Sequence, residues 1–460
     1  MAISPTAPDD ILARRRKTDP VPVRRRTGRT GSLVVACILD EFSYHSFSAE
    51  ADLAPLTMNN WLVEITAAQP DLLLVESAWR GHRQTWWNTV HRHGPEIQEI
   101  LSWCKARGIA TAFWNKEDPV HFNTFLSTAS LFDAVFTTDL DCVVQYKREL
   151  GHSRVHFLPF AAQPAETNPA ELFERIQGCA FAGAYYDRYP ERLADLSELS
   201  STLANGRRFD IYDRNFGKDM PGYMFPDKYR RFIVGGNPPP EMLDIPYKGY
   251  TSNLNMNSVK QSQSMFARRV FELMASNTLV LSNFSRGLRL MFGDLVISTD
   301  SGTEMDRRLN AIESEPNGNE RLRAMALRKT LNEHTYSERL EFIAQCVGVP
   351  LPERASERCV LVLENASTET ASKVLEMLDG QSHDDWLLAA ISDEQLGVSH
   401  PKLVHLDSQA DVLNMAAEYH CTFLGAVNPA TGMAPTTFST LCTPSDGPMS
   451  EPWGTSSISR

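Results

Sequence analysis

The stretch "SQSMFARRVFELMASNTLVLSN", residues 262–283, reads as a helix that runs into a strand. Met265, Phe266, Val270, Phe271 and Met274 supply its apolar face at helical spacing, and Ser264 stands where it can cap the first turn. Asn277 falls just past the helix, where asparagine is second only to glycine in tolerating a left-handed turn. "TLVLS" then has the apolar character of a strand buried on both faces. Arg268 and Glu272 are four apart and share a polar stripe, with Arg269 about 100° round from Arg268. Two cations and one carboxylate between two buried elements need a reason, and one carboxylate cannot neutralise both arginines.

The same alternation of apolar run and helix extends outward. Upstream, "SLVVACILD" (32–40), "DLLLVESAW" (71–79), "IATAFWNKEDP" (109–119), "AVFTTDLD" (134–141) and "VHFLPFAAQP" (155–164) are apolar runs separated by amphipathic segments such as "PEIQEILSWCKARG" (95–108). That pattern predicts a buried parallel sheet with helices on both faces. Four of these runs end in polar clusters, which predicts a cleft at the carboxyl edge, where open α/β sheets bind ligands. A second set has strands at 179–183, 209–213, 279–283 and 295–299, with helices at 188–204, 264–275, 303–313 and 319–329. Residues 160–175 read as a hinge, and 317–348 as a long helical tail able to lean back on the first domain.

The expected fold is therefore α/β, with two Rossmann-like, doubly wound domains facing across a cleft (32–160 and 170–348) and a small C-terminal α/β segment (359–428). A basic leader (1–31) and a Thr/Ser/Pro-rich tail (429–460) are expected to be disordered and loose, respectively.

Composition removes several functions. A net charge of −12 argues against a general nucleic-acid binder, though not against a local basic pocket. The eight cysteines contain no CxxC pair, so a zinc ribbon is not expected, and Cys37, Cys142 and Cys179 read as buried thiols. No apolar run reaches the length of a membrane span and the leader has no apolar signal core, so a cytoplasmic location is expected. Its arginine clusters leave peripheral contact with anionic lipid as a possible role. A dinucleotide oxidoreductase is disfavoured because the first strand is followed by "DEFSYHSF" rather than G-x-G-x-x-G.

The candidate site is built around 248–294. The first turn of the helix is expected to offer free N–H groups to a diphosphate, Arg268 or Arg269 bidentate bonds to its oxygens, and Glu272 an acceptor for ribose hydroxyls, with an Arg–Glu pair on a solvated face as the alternative. Lys248, Asn255 and Asn257 precede the helix and read as one polar face on a cavity, and the turn at Gly183–Tyr185 is a second place for backbone to approach a phosphate. In the first domain Glu117, Asp118 and His121 can serve as general base, with a helix cap before Pro119 as the alternative for Asp118. Trp79, Trp86 and Trp87 are read as core packing, with an acceptor-stacking surface as the alternative.

"FWNKEDPVHFNTFLSTASLFDAVFTTDLDCVVQYK", "FAGAYYDRYPER" and "MNSVKQSQSMFARRVFELMAS" together resemble the CgeB-type glycosyltransferases, and "FELMASNTLVLSN" resembles the nucleotide-sugar segment of the GT-B fold. The resemblance spans about residues 33–345. It implies sugar transfer from a nucleotide-diphosphate sugar, as substrate rather than cofactor, to a glycan or lipid-linked acceptor, with no tightly bound metal. It also implies that Glu272 holds the ribose, with Ser264 and Phe266 beside the donor. Ser264 stands where related retaining enzymes often carry a second glutamate. The segment from 359 resembles the start of a GT-A domain, but "FLGAVNPATG" stands where an Asp-x-Asp metal motif would be expected, and a truncated, non-catalytic remnant is the expectation. The alternative function is a non-catalytic nucleotide- or sugar-binding scaffold.

Overall fold

The computed structural model describes residues 30–236, 238, 242–352, 358–381, 384–419 and 423–427. The basic stretch of the leader and the tail from 429 lie outside the described residues. The chain divides into two compact units, one running through Pro352 and the other starting at Glu353.

The first unit holds two six-stranded, wholly parallel sheets. In the first, β1 (Val34–Ile38), β2 (Asp52–Pro55), β3 (Leu72–Glu76), β4 (Ala110–Asn115), β5 (Ala134–Thr137) and β6 (Val155–Phe157) take the order β2-β1-β3-β4-β5-β6. In the second, β7 (Ile176–Gly183), β8 (Arg208–Asp213), β9 (Ile233–Gly236), β10 (Tyr250–Asn255), β11 (Leu279–Ser282) and β12 (Ile297–Ser298) take the order β12-β11-β10-β7-β8-β9. Both are doubly wound orders with a switch point, at β1/β3 in the first sheet and β7/β10 in the second, and ligands bind where the connections diverge. The two doubly wound α/β sheets read from the sequence are present.

Alternation along the strands explains the layers. Val35, Cys37, Leu72, Leu74, Ala112 and Trp114 face one core cluster, while Ala36, Ile38, Leu73, Val75 and Phe113 face another. The first of these clusters is shared between sheets, since Ala180, Ala182, Tyr250, Val270 and Phe271 of the second belong to it. β2, β9 and β10 were not read as strands. β2 and β9 are short and largely unburied, and the alternating asparagines of β10 obscured a central strand.

The expected helical tail is two helices, Gly318–Glu333 and Tyr336–Val347, broken where Thr335 and Glu338 form a capping box. The second packs on the first sheet's layer: Tyr336 meets Phe42 and Phe47, and Phe342 meets Phe136. Arg339 donates to the carbonyls of Pro159 and Phe160 at 3.0 and 3.2 Å. The chain thus crosses back and clasps the domain it left.

The second unit is a four-stranded parallel sheet of β13 (Cys359–Leu363), β14 (Trp386–Ile391), β15 (Leu403–Leu406) and β16 (Phe423–Ala426), in the order β15-β14-β13-β16. Among the described residues no helix is long and apolar enough to cross a membrane.

His334, at the break between the tail helices, packs against Phe271 and Phe292 and is held neutral. Burial first, and then the charges of Arg339 and Lys329, pull its pKa down to about 3. The unfolded chain takes up this proton near pH 6.5 and the folded chain does not until far lower, so stability falls as pH drops through that window. Replacing His334 by Leu is expected to shrink the loss of unfolding free energy between pH 7 and pH 5, measured by urea titration at both values; an unchanged loss would remove His334 as the cause.

Candidate functional site

The helix of the opening stretch begins later than its sequence suggests. It spans Arg269–Ala275, Arg268 occupies the N-cap position and no side chain caps it. Its end is as read: Asn277 has φ 53°. Thr278 N–H bonds Leu273 O at 3.0 Å and Asn277 N–H bonds Met274 O at 3.1 Å, the paired bonds of a Schellman motif.

The residues before the helix form a loop fastened to both sheets. Ser264 does not cap; its hydroxyl accepts from Leu140 N–H at 2.8 Å and donates to Thr138 O at 3.2 Å, both at the carboxyl end of β5. Ser262 donates to Asp139 at 2.5 Å and accepts from Met265 N–H at 2.8 Å. Asn257 accepts from Ala267 N–H at 2.9 Å. The N–H groups expected to be free for a diphosphate at Met265 and Ala267 are therefore already taken. The switch point of the second sheet lies beside this loop. A cavity of about 700 Å³ opens there between the two sheets, walled by Pro119, Val120 and Asp139 on one side and by Ser258, Lys260 and Ser262 on the other.

The two arginines differ. Arg268 is paired: its guanidinium bonds Glu272 and lies 3.4 Å from the centroid of Phe42, a residue of the first domain. Glu272 also accepts from Tyr247 OH at 2.8 Å. Arg269 has no carboxylate partner among the described residues, and its Nε is buried without a hydrogen bond. It is not alone. Arg192, in the first turn of the helix Pro190–Leu203, is 5% exposed, and both its Nε and one terminal nitrogen are buried without a partner. Its other terminal nitrogen donates to Ala184 O at 3.3 Å, and its guanidinium lies 5.1 Å from the Tyr186 ring centroid. Arg214, one residue past β8, donates to Tyr186 OH at 3.4 Å and its N–H to Gly183 O at 2.9 Å. Burial first, and then the charges of Arg269 and Arg214, pull Arg192 down to about 10, against the opposing pull of Tyr186. Burial and the charges of Arg269 and Arg268 lower Arg214 likewise. Three guanidinium groups thus crowd the carboxyl ends of β7 and β8 and the start of one helix, with no carboxylate among the described residues to answer them.

Other residues named from the sequence fall elsewhere. Tyr185 packs with Phe225 and Tyr229, away from the arginines; its neighbour Tyr186 faces them. A Cβ on Gly183 would sit 2.6 Å from the Phe181 ring, which gives the glycine a packing reason. Phe266 is core, stacked on Phe271 at 5.2 Å and set edge-on to Phe292. Lys248 is buried, pairs with Asp244 at 2.9 Å and bonds Asn168 at 3.1 Å, so it fastens the hinge. Asn255 and Asn257 are buried and bonded to each other and to Ser282, a network holding β10 to β11 instead of lining a cavity.

In the first domain, Asp118 is fully buried and caps no helix, since the next one starts at Phe122. Its oxygens accept from Asn115 at 2.8 Å and Thr137 at 2.6 Å, and burial, with the charges of Asp139 and Glu117, raises its pKa to about 7. His121 packs edge-on against Trp79 at 5.0 Å. Glu117 is partly exposed and its carboxylate has no hydrogen bond among the described residues. Asp40 and Glu76 both bond Lys116 at 2.8 Å, and Asp40 also caps the N–H groups of Trp79, Arg80 and Gly81.

Comparison with known proteins adds similarities over part of the chain. Residues 196–345 match the family model described as glycosyl transferase-like. Spore protein CgeB of Bacillus subtilis (strain 168) is 22% identical over 200 residues, covering 40% of this chain; the match spans 59% of the relative's length. Among solved structures, an α,α-trehalose-phosphate synthase (UDP-forming) from Burkholderia vietnamiensis aligns at TM-score 0.43 and 11% identity, covering 68% of this chain and 78% of that one. A glycosyltransferase from Rickettsia africae ESF-5 aligns at TM-score 0.43 and 11% identity, covering 68% and 89%.

Ser264 offers a clean discrimination. Were it only a residue near a helix start, alanine would be tolerated. As a bridge between sheets, Ser264→Ala removes the acceptor of the Leu140 N–H and the donor to Thr138 O, and is expected to cost about 0.5–1.5 kcal/mol in chemical denaturation; a loss within error would dismiss the bridge.

Proposed function

We propose that this chain, a CgeB-type glycosyltransferase by family, transfers a sugar from a nucleotide-diphosphate donor to a glycan or lipid-linked acceptor. The observation that carries this reading is the surplus of guanidinium charge at Arg192, Arg214 and Arg269. Arg192 is a buried cation without a counterion among the described residues, with Arg269 half-buried and Arg214 exposed beside it; a buried unpaired cation is costly, and a fold keeps one where an anion arrives. The diphosphate supplies that anion, and its charge grows as the glycosidic bond breaks, so fixed guanidinium groups favour the transition state over the bound substrate. Glu272, four residues after Arg268 and hydrogen-bonded by Tyr247, holds the ribose. Of the three first-domain candidates we retain Glu117 as the group that takes the acceptor proton, because Asp118 is enclosed and His121 is packed against Trp79. The arginines do the work that a divalent cation does in metal-dependent transferases, so we also propose metal independence.

With a panel of UDP-, GDP- and dTDP-sugars, Arg269→Ala is expected to lower kcat by roughly 10²–10³, with Lys rescuing only in part because it lacks the bidentate fork. Arg268→Ala is expected to lose less. Wild-type turnover in Arg269→Ala would end the assignment. Donor binding without any turnover would favour the scaffold reading.

Arg192 predicts an opposition between stability and binding. Arg192→Met removes a buried, unanswered cation and is expected to make the empty protein about 1 kcal/mol more stable, while weakening nucleotide-diphosphate binding in calorimetry. A variant that is less stable and binds normally would show that Arg192 is structural.

Activity is expected to survive EDTA. Activity abolished by chelation and restored by Mn²⁺ would place the chemistry elsewhere.

A further inference from the structure

The loop that follows β3 is the least like the rest of this chain. From Ser77 to Pro95 it contains three arginines and three histidines and no acidic residue, in a protein of net charge −12. It begins at the carboxyl end of β3, one of the two strands that flank the switch point of the first sheet. Four of the eight non-glycine residues with positive φ among the described residues lie in it: Arg83, Gln84, Asn88 and His93. Such a concentration of left-handed backbone is held only by surrounding structure, and it clusters where function requires it.

The means of holding it are visible. Asp40 accepts the N–H groups of Trp79, Arg80 and Gly81. Glu41 accepts Arg83 N–H and pairs with the His82 ring, which stacks on Tyr44 at 3.9 Å. Trp86 is driven into the core and donates to Leu56 O at 2.7 Å. Its neighbour Trp87 is treated oppositely: it is 57% exposed, with Arg80 lying 4.9 Å from its ring centroid. Arg80, Arg83 and Arg92 are all exposed in this loop. The acidic residue beside the patch, Glu41, is engaged by His45 and His82. Glu41 also precedes Phe42, on which Arg268 stacks, so the loop is anchored to the same short helix that touches the arginine side of the second domain.

We propose that this loop is the acceptor platform, and that it takes a glycan carrying anionic groups. This rests on the glycosyltransferase reading above and adds the class of acceptor to it. An exposed indole offers a flat apolar face to a sugar ring, and Arg80 beside it, with the other exposed arginines of the loop, matches phosphate, sulfate or carboxylate substituents on the same chain. Charge alone would not need Trp87 exposed, and ring stacking alone would not need a segment cleared of acids.

The test is calorimetric titration of the full chain with a sulfated dextran oligosaccharide, the unsulfated dextran of the same length, inorganic polyphosphate and a single-stranded oligonucleotide. Sulfated dextran is expected to bind most tightly. Trp87→Ala is expected to weaken it about tenfold, the size typical of an interface tryptophan, with Trp87→Phe restoring most of the loss. Arg80→Ala with Arg83→Ala is expected to reduce affinity to that of the unsulfated chain. UDP affinity is expected to stay as in the wild type, so failure of the donor reading (no UDP binding) and failure of the platform (no effect of the loop variants) are separate results. Polyphosphate or the oligonucleotide binding as tightly as sulfated dextran, or Trp87→Ala binding it like the wild type, would overturn the platform.

Discussion

An arginine can be buried only beside something that answers its charge, and at the carboxyl edge of the second sheet no carboxylate among the described residues gives that answer. Arg192 is enclosed, Arg269 has a buried unbonded nitrogen, and Arg214 crowds both. The charge of Arg269 lowers the proton affinity of both Arg192 and Arg214, which is the signature of like charges held together by the rest of the fold. What forces them together is the topology. Arg192 follows the strand at the switch point, Arg214 follows the neighbouring strand, and Arg269 starts the helix that leads into β11. The doubly wound order brings three distant stretches to one edge, and each contributes a cation to it.

That edge is kept in place by a loop with two sets of fastenings. Asn257 grips it from the second sheet, and Asp139 with the residues around it grips Ser262 and Ser264 from the first. The hinge is held from both directions as well, by Lys248 on one side and by the return of the helix Tyr336–Val347 on the other. A shared apolar core fills the space between these polar fastenings. The placement of Arg268 and Arg269 is consequently a property of both domains, although both residues belong to one.

Much of the fold was legible because burial on both faces leaves an unmistakable pattern: apolar runs in alternation with amphipathic helices. The elements that escaped were those whose burial is partial, β2 and β9, or whose side chains disguise it, the asparagine-bearing β10. The site was harder. Arg268, Arg269 and Glu272 drew notice through their spacing on one helix, a local property. Arg192 and Arg214 belong to the same cluster only through strand order, which a chain read end to end does not display. A signal did exist, though a masked one: a cation in the first turn of a helix opposes the helix dipole, but Glu191 beside Arg192 in the sequence makes that cation look answered. Ser264, Asn255 and Lys248 have structural partners that spacing did not reveal, for a related reason. Polar residues near a presumed ligand site are as useful for joining strands, sheets and hinge as for touching a ligand, and sequence spacing cannot distinguish the two.

The double fastening of the loop at 257–267 has a mechanical meaning. A rigid-body opening of one sheet away from the other would have to break the bonds from Ser262 and Ser264 to the end of β5, or drag the loop along with them. The start of the Arg269–Ala275 helix would move with it, and Arg268 would leave the ring of Phe42. The aperture of the cleft and the strength of its electric grip are thus a single coordinate.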